Sequence, residues 1–280
     1  MIPAAFDYQR PTSVDEALSA ISGGGAKVLA GGQSLLPLLK MRLATADMLV
    51  DIGRLSELRG MRELPDGGFE VGALTTYAEI IEGTNLPWVA EAVEGIGDVQ
   101  VRNLGTAGGA MSHCDPASDL PAIALALDYS AVLRSTRGER VVPLDGFFEG
   151  AFQTAAAPDE LLIAIRRPPL PAGAEGAYRQ LEQPASGYSI VGVAAVIASS
   201  GGSISHARIG ITGVGEMPYR AKAVEDALMA GDGSPAAISA AAEHAADGQT
   251  VNSDIHADRE YRSRMAVVFT RRAIEAALGR

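Results

Sequence analysis

The chain has 280 residues, 47% of them hydrophobic and 20% charged, a net charge of −11 and one cysteine, Cys114. That acidity repels a nucleic-acid backbone unless basic residues cluster, and the basic doublets Arg166-Arg167 and Arg271-Arg272 make no such cluster. A single cysteine excludes an intrachain disulfide and an iron–sulfur cluster held by this chain alone. No apolar run reaches the roughly 18 to 20 residues of a membrane helix, and MIPAAFDYQR lacks a signal-peptide pattern, so a cytoplasmic protein with no membrane span is expected.

In chain order, Thr12 and Ser13 cap an amphipathic helix that places Val14, Leu18 and Ile21 on one side, and Gly23-Gly24-Gly25 ends it. KVLAG reads as a buried strand. SLLPLLKMR reads as a helix with a proline in its first turn, and MLVDIG (Met48 to Gly53) as a second strand. The long crossover favours parallel pairing and an α/β subdomain over residues 1–53. From Leu55 the pattern changes to a β-hairpin turning at Asp66-Gly67-Gly68. Two amphipathic helices follow, TTYAEIIEG, capped by Thr75 or Thr76, and WVAEAVEGI. A helix from Leu120, a hairpin turning at Thr136-Arg137-Gly138 and the strand LLIAIRR complete an α+β subdomain over 54–170. PPLPAG (Pro168 to Gly173) resists both helix and sheet and marks a boundary. Beyond it, over 174–280, AYRQLEQ, IVGVAAVIASS and SHARIGITGV read as three antiparallel strands. The second and third turn at Ser200 to Ser203, and three helices complete the region.

Two glycine segments stand out. In the first, Gly31-Gly32 follows a strand, and Gln33 and Ser34 open a helix, where free amides and the helix dipole favour an anion. In the second, Thr106 precedes Gly108-Gly109, a pair whose bare backbone can form an anion-binding nest. A tight turn followed by a capped helix accounts for either segment taken singly, whereas two such segments can converge on one diphosphate. Neither is a G-x-G-x-x-G fingerprint, since GIGDVQ at Gly95 and GVGEMP at Gly213 lack the third glycine, and the Gly-Lys dipeptide of a P-loop is absent.

AGGQSLLPLLKMRLA (30–44) and VRNLGTAGGAMSHCDPASDLPA (101–122) resemble the FAD-binding medium subunit of the molybdenum hydroxylases, the group of carbon monoxide dehydrogenase and the xanthine dehydrogenase flavin domain. The resemblance continues through PASGYSIVGVAA (184–195), GVGEMPYRA (213–221) and DIHADREYRSRMAVVFTRRA (254–273), in order over nearly the whole chain. It implies an FAD-binding PCMH-type, vanillyl-alcohol-oxidase-like fold of two subdomains followed by a C-terminal flavoprotein domain. It also implies that Ala30, Gly31, Gly32, Gln33, Ser34 and Leu35 grip the pyrophosphate of a non-covalent FAD together with Thr106, Gly108 and Gly109. Asp119 falls on the family's flavin-side aspartate, although a first-turn carboxylate on a helix dipole explains it equally well. Tyr188 falls near an aromatic that packs on the flavin ring, but this chain lacks the aspartate that often precedes that aromatic. Leu162, with Ile163 and Gln100, is a candidate liner of the cofactor cavity. His113 and Cys114 have no further cysteine or histidine at ligand spacing, which argues against a metal or nucleophile there.

The function implied is an electron-transfer flavoprotein subunit. Its partners would be a large molybdopterin subunit and a small [2Fe-2S] subunit, assembled as a dimer of heterotrimers. The alternative is a stand-alone FAD-binding or assembly protein of the same fold.

Overall fold

The computed structural model describes residues 2–280. Its first layer is a parallel three-stranded sheet built from β1 (Asp7–Gln9), β2 (Ala26–Leu29) and β3 (Met48–Asp51), in the order β1-β3-β2. The parallel pairing of β2 with β3 is the one the crossover length favours. β1 is not legible in the sequence, because three exposed residues carry no period. Between β1 and β2 runs α1 (Val14–Ile21), capped by the Ser13 hydroxyl, which accepts the Glu16 amide, and burying Val14, Ala17, Leu18 and Ile21. α2 (Leu35–Lys40) fills the crossover from β2 to β3.

The second layer is an antiparallel sheet of five strands: β4 (Met61–Glu63), β5 (Phe69–Gly72), β6 (Ser130–Ser135), β7 (Gly138–Pro143) and β10 (Leu161–Arg167), ordered β4-β5-β10-β6-β7. Both expected hairpins form. A small two-stranded piece, β8 (Phe148–Gly150) with β9 (Gln153–Thr154), replaces part of what reads as loop, its strands being too short for alternation to register. Five helices lie between β5 and β6. They are α3 (Tyr77–Gly83), α4 (Pro87–Glu94), α5 (Val99–Leu104), α6 (Ala107–His113) and α7 (Asp119–Ala126). Thr76 rather than Thr75 caps α3, in a reciprocal box with Glu79.

The C-terminal sheet has four strands where three were expected: β11 (Glu175–Glu182), β12 (Ser189–Ser200), β13 (Ser203–Thr212) and β14 (Tyr219–Arg220). β14 is a two-residue edge strand directly after Pro218, and nothing in so short a segment signals a strand. α8 (Lys222–Ala230), α9 (Pro235–Ala242) and α10 (Arg259–Ala277) complete the chain, with α10 packed along β12.

β12 reads as an unbroken apolar run because both of its faces are covered. Val191, Val193, Ala195 and Ile197 join the core beneath α10, whereas Ala194 and Val196 join the core of the five-stranded sheet. α7 is the other shared element. All of its residues are buried, and it packs against both β12 and β13. The glycine-bearing half and the C-terminal half are therefore joined across β12 and one apolar helix, and that helix begins at Asp119.

Candidate functional site

The first glycine segment leaves β2 and turns into α2. Gly32 lies in the left-handed region at φ +74, and among the described residues the amides of Gly31, Gly32, Gln33, Ser34 and Leu35 donate to no group of the chain. The Ser34 hydroxyl makes no cap for α2. Five consecutive unpaired N–H groups around a left-handed residue at a helix start are a donor set that suits a diphosphate. Ala30 and these five residues are all partly exposed, so the segment is open to solvent.

The second segment is built differently from the nest expected of it. Thr106 is the N-cap of α6, and Gly108 and Gly109 sit in the first turn of that helix instead of a loop. Their amides are already used. Ala107 donates to the Thr75 carbonyl (2.9 Å), Gly108 to the Ala73 carbonyl (2.8 Å) and Gly109 to the Thr106 hydroxyl (3.1 Å). The reason is the threonine, whose side chain accepts from the third helical residue and fixes the helix start. What Gly108 supplies is proximity, since a Cβ there would lie 2.6 Å from the Ala73 Cβ. A Cβ on Gly109 would meet only the Thr106 hydroxyl, at 2.7 Å.

The fold does bring the two segments together. A Cβ on Gly31 would fall 1.7 Å from the Leu104 carbonyl oxygen, so the backbone of the first segment rests directly on residues leading into Thr106. Only glycine permits that approach.

Asp119, at the first position of α7, is 5% exposed and accepts hydrogen bonds from the hydroxyls of Ser189 (2.6 Å) and Tyr178. Burial pushes its carboxyl up from 3.8 to about 6, against the pull of those two hydrogen bonds. Tyr77 is buried nearby, and burial together with the charge of Asp119 and Tyr188 raises its phenol far above the ordinary value. Tyr188, on the turn before β12, is 53% exposed, and its phenol is raised by partial burial and by Asp115 and Asp119. Tyr188 is thus an exposed ring next in sequence to Ser189, which donates to Asp119. Tyr77, Tyr178 and Ser189 escaped sequence reasoning, because a tyrosine in a helix or strand carries no local sign of a partner on another domain.

Leu162 is buried behind α6, in the core that holds Ala107 and Met111. The adjoining bulge on β10 presents the Ile163 carbonyl to the Ala73 amide (2.9 Å). Gln100 is exposed on α5. Cys114 is buried, its thiol donating to the Gly150 carbonyl, and burial raises it to about 11; His113 is lowered by burial and tilts against the Phe152 ring.

Residues 4–170 match the family model described as the FAD binding domain in molybdopterin dehydrogenase. The chain belongs to this family. Residues 176–277 match the CO dehydrogenase flavoprotein C-terminal domain. Over 286 residues the chain is 37% identical to the carbon monoxide dehydrogenase medium chain of Hydrogenophaga pseudoflava, covering 100% of this chain and 99% of that one. It is 35% identical over 287 residues to subunit alpha of the 6-hydroxypseudooxynicotine dehydrogenase complex of Paenarthrobacter nicotinovorans, covering 100% and 97%. The solved carbon monoxide dehydrogenase from Hydrogenophaga pseudoflava that lacks the Mo-pyranopterin moiety superposes at a TM-score of 0.95 with 39% identity, over 100% of this chain and 99% of that one. As a member of the FAD-binding domain family of the molybdopterin dehydrogenases, the chain has FAD as its cofactor. The residues present fit that group: a diphosphate needs donors that nothing else has claimed, and the first glycine segment offers five.

Proposed function

We propose that this protein is the FAD-carrying electron-transfer subunit of a molybdenum hydroxylase, working beside a large molybdopterin subunit and a small [2Fe-2S] subunit in the cytoplasm, two such trimers forming a dimer. The observation that carries the reading is the run of unpaired amides from Gly31 to Leu35, held against the approach to Thr106. Its support from relatives is whole-length similarity to a medium chain and to a subunit of a dehydrogenase complex. Among the described residues no helix is long and apolar enough to cross a membrane.

FAD, when bound, would supply the redox chemistry, electron transfer between the clusters of the small subunit and an external acceptor. This chain positions and tunes. The Gly31–Leu35 amides bind the diphosphate, with Ala30 leading the chain into them. Thr106 fixes the start of α6 so that Gly109 presents bare backbone beside it, and Leu162 supports α6 from behind. Asp119 offers a carboxylate that Tyr178 and Ser189 orient, and Tyr188 offers an aromatic face. Co-expression with candidate large and small subunits tests the assembly. A stable three-component complex carrying flavin is expected, and a chain that stays alone under those conditions favours the stand-alone FAD-binding protein.

A further inference from the structure

Arg167 closes β10 and is 6% exposed, yet none of the described carboxylates pairs with it. Its neighbour Arg166 is paired with Glu70, which also takes Arg62. The Arg167 guanidinium lies over the Phe69 ring, 5.2 Å from its centroid, and one terminal nitrogen donates to the Pro168 carbonyl at 3.1 Å. Its Nε is buried with no hydrogen-bond partner. A buried cation without a counter-charge is costly unless something else supplies one.

Beside it is a cavity of about 30 Å³, walled by Arg167, Phe69, Leu127, Tyr129 and Ile165 and reached past Asn85, which is exposed. None of the residues expected to hold FAD lines it. The Tyr129 phenol lies close to the guanidinium, which pulls its pKa down against the burial that lifts it to about 12. We propose that this cavity is a binding site for a monovalent anion of halide size, held by the Arg167 guanidinium and the Tyr129 hydroxyl.

Size and polarity select the ligand. A cavity that takes an aromatic ring needs roughly 150 Å³, so aromatic carboxylates are too large here, whereas one water or one halide fits. Apart from Thr84 and Asn85 the remaining walls are apolar, which favours a weakly hydrated anion such as bromide over phosphate or sulfate. A bound water would complete the Nε hydrogen bond but leave the charge uncompensated. That difference separates the two occupants experimentally.

The test uses the full chain in sodium bromide, with sodium gluconate at the same ionic strength as the comparator too large for the cavity. Crystals grown in bromide are expected to give an anomalous peak beside Arg167 Nε, and the melting temperature is expected to rise saturably with bromide but not with gluconate. Arg167→Met should abolish the bromide-specific rise, and Tyr129→Phe should weaken the half-saturation concentration several-fold. Electron density there without anomalous signal means water and overturns the proposal, as does a bromide increment that survives in Arg167→Met. Where Arg167→Met does not fold, the anomalous peak decides alone.

Discussion

Three glycines of the site have different jobs, and their alanine variants should separate them. Gly31→Ala forces a methyl into the Leu104 carbonyl, with no side chain able to yield, so both glycine segments must part. Flavin retention is expected to be lost, with stability down by roughly 1 to 3 kcal/mol. Gly108→Ala meets Ala73 and should destabilise α6 against β5 with a smaller effect on flavin. Gly109→Ala displaces only the Thr106 hydroxyl, costing about 1 kcal/mol of helix cap. Urea unfolding and flavin retained after desalting rank the three, and equal losses would contradict this assignment.

Asp119 makes a pH prediction at the same scale. Its carboxyl rises from 3.8 to about 6 on folding, so between those values the folded chain holds a proton that the unfolded chain releases. Its contribution therefore falls as pH rises from about 4 to about 6, by on the order of 3 kcal/mol, and stays low above that. Carboxylates held low by partners, such as Glu79 with Thr76 and Asp254 with the His256 and Ala257 amides, have the opposite slope, so only a difference isolates Asp119. The stability of FAD-free wild type relative to Asp119→Asn is expected to decline across that window; a flat difference would mean that the carboxyl is not raised.

At the scale of elements, much of the architecture was legible because long segments announce themselves. The α1 stripe, the two hairpins turning at Gly67 and Gly138, the three long C-terminal strands and the helix capped by Asp258 all carry period or turn chemistry. What stayed hidden is short or depends on partners. β1 and β14 are recognised only by the strands beside them, and α6 absorbed a glycine pair that looks like a loop because Thr106 caps it. The first glycine segment is legible as a strand-to-helix turn, since Gly31-Gly32 between an apolar strand and Gln33-Ser34 is a local signal. The linking of Asp119 to Tyr178 and Ser189 joins residues 59 and 70 positions apart, which no local pattern encodes. Thr106→Ala tests the element directly. Loss of the cap should cost about 1 kcal/mol, and Thr106→Ser should restore most of it in thermal unfolding.

For the whole molecule, the two halves are held by more than α7. Asp128, in the left-handed region, takes Arg208 at 2.7 Å and Arg220 at 3.0 Å from the C-terminal sheet, and Lys222 reaches Asp145 at 2.7 Å. Asp128→Asn keeps a residue that tolerates this backbone but removes the charge. A loss of roughly 1 kcal/mol is expected, because Arg220 retains Glu225, and added salt should affect the variant less than wild type. Such a frame keeps Asp119 beside Tyr178 and Ser189, which come from the opposite half. Whether the Gly31–Leu35 segment, resting on Leu104, holds FAD is read from the visible spectrum of the FAD-incubated chain after desalting, for wild type and Gly31→Ala side by side. Flavin bands are expected to persist in wild type, to be released by acid and to be absent from Gly31→Ala. A wild-type chain that emerges colourless, or a Gly31→Ala chain that keeps as much flavin, would contradict FAD binding by that segment.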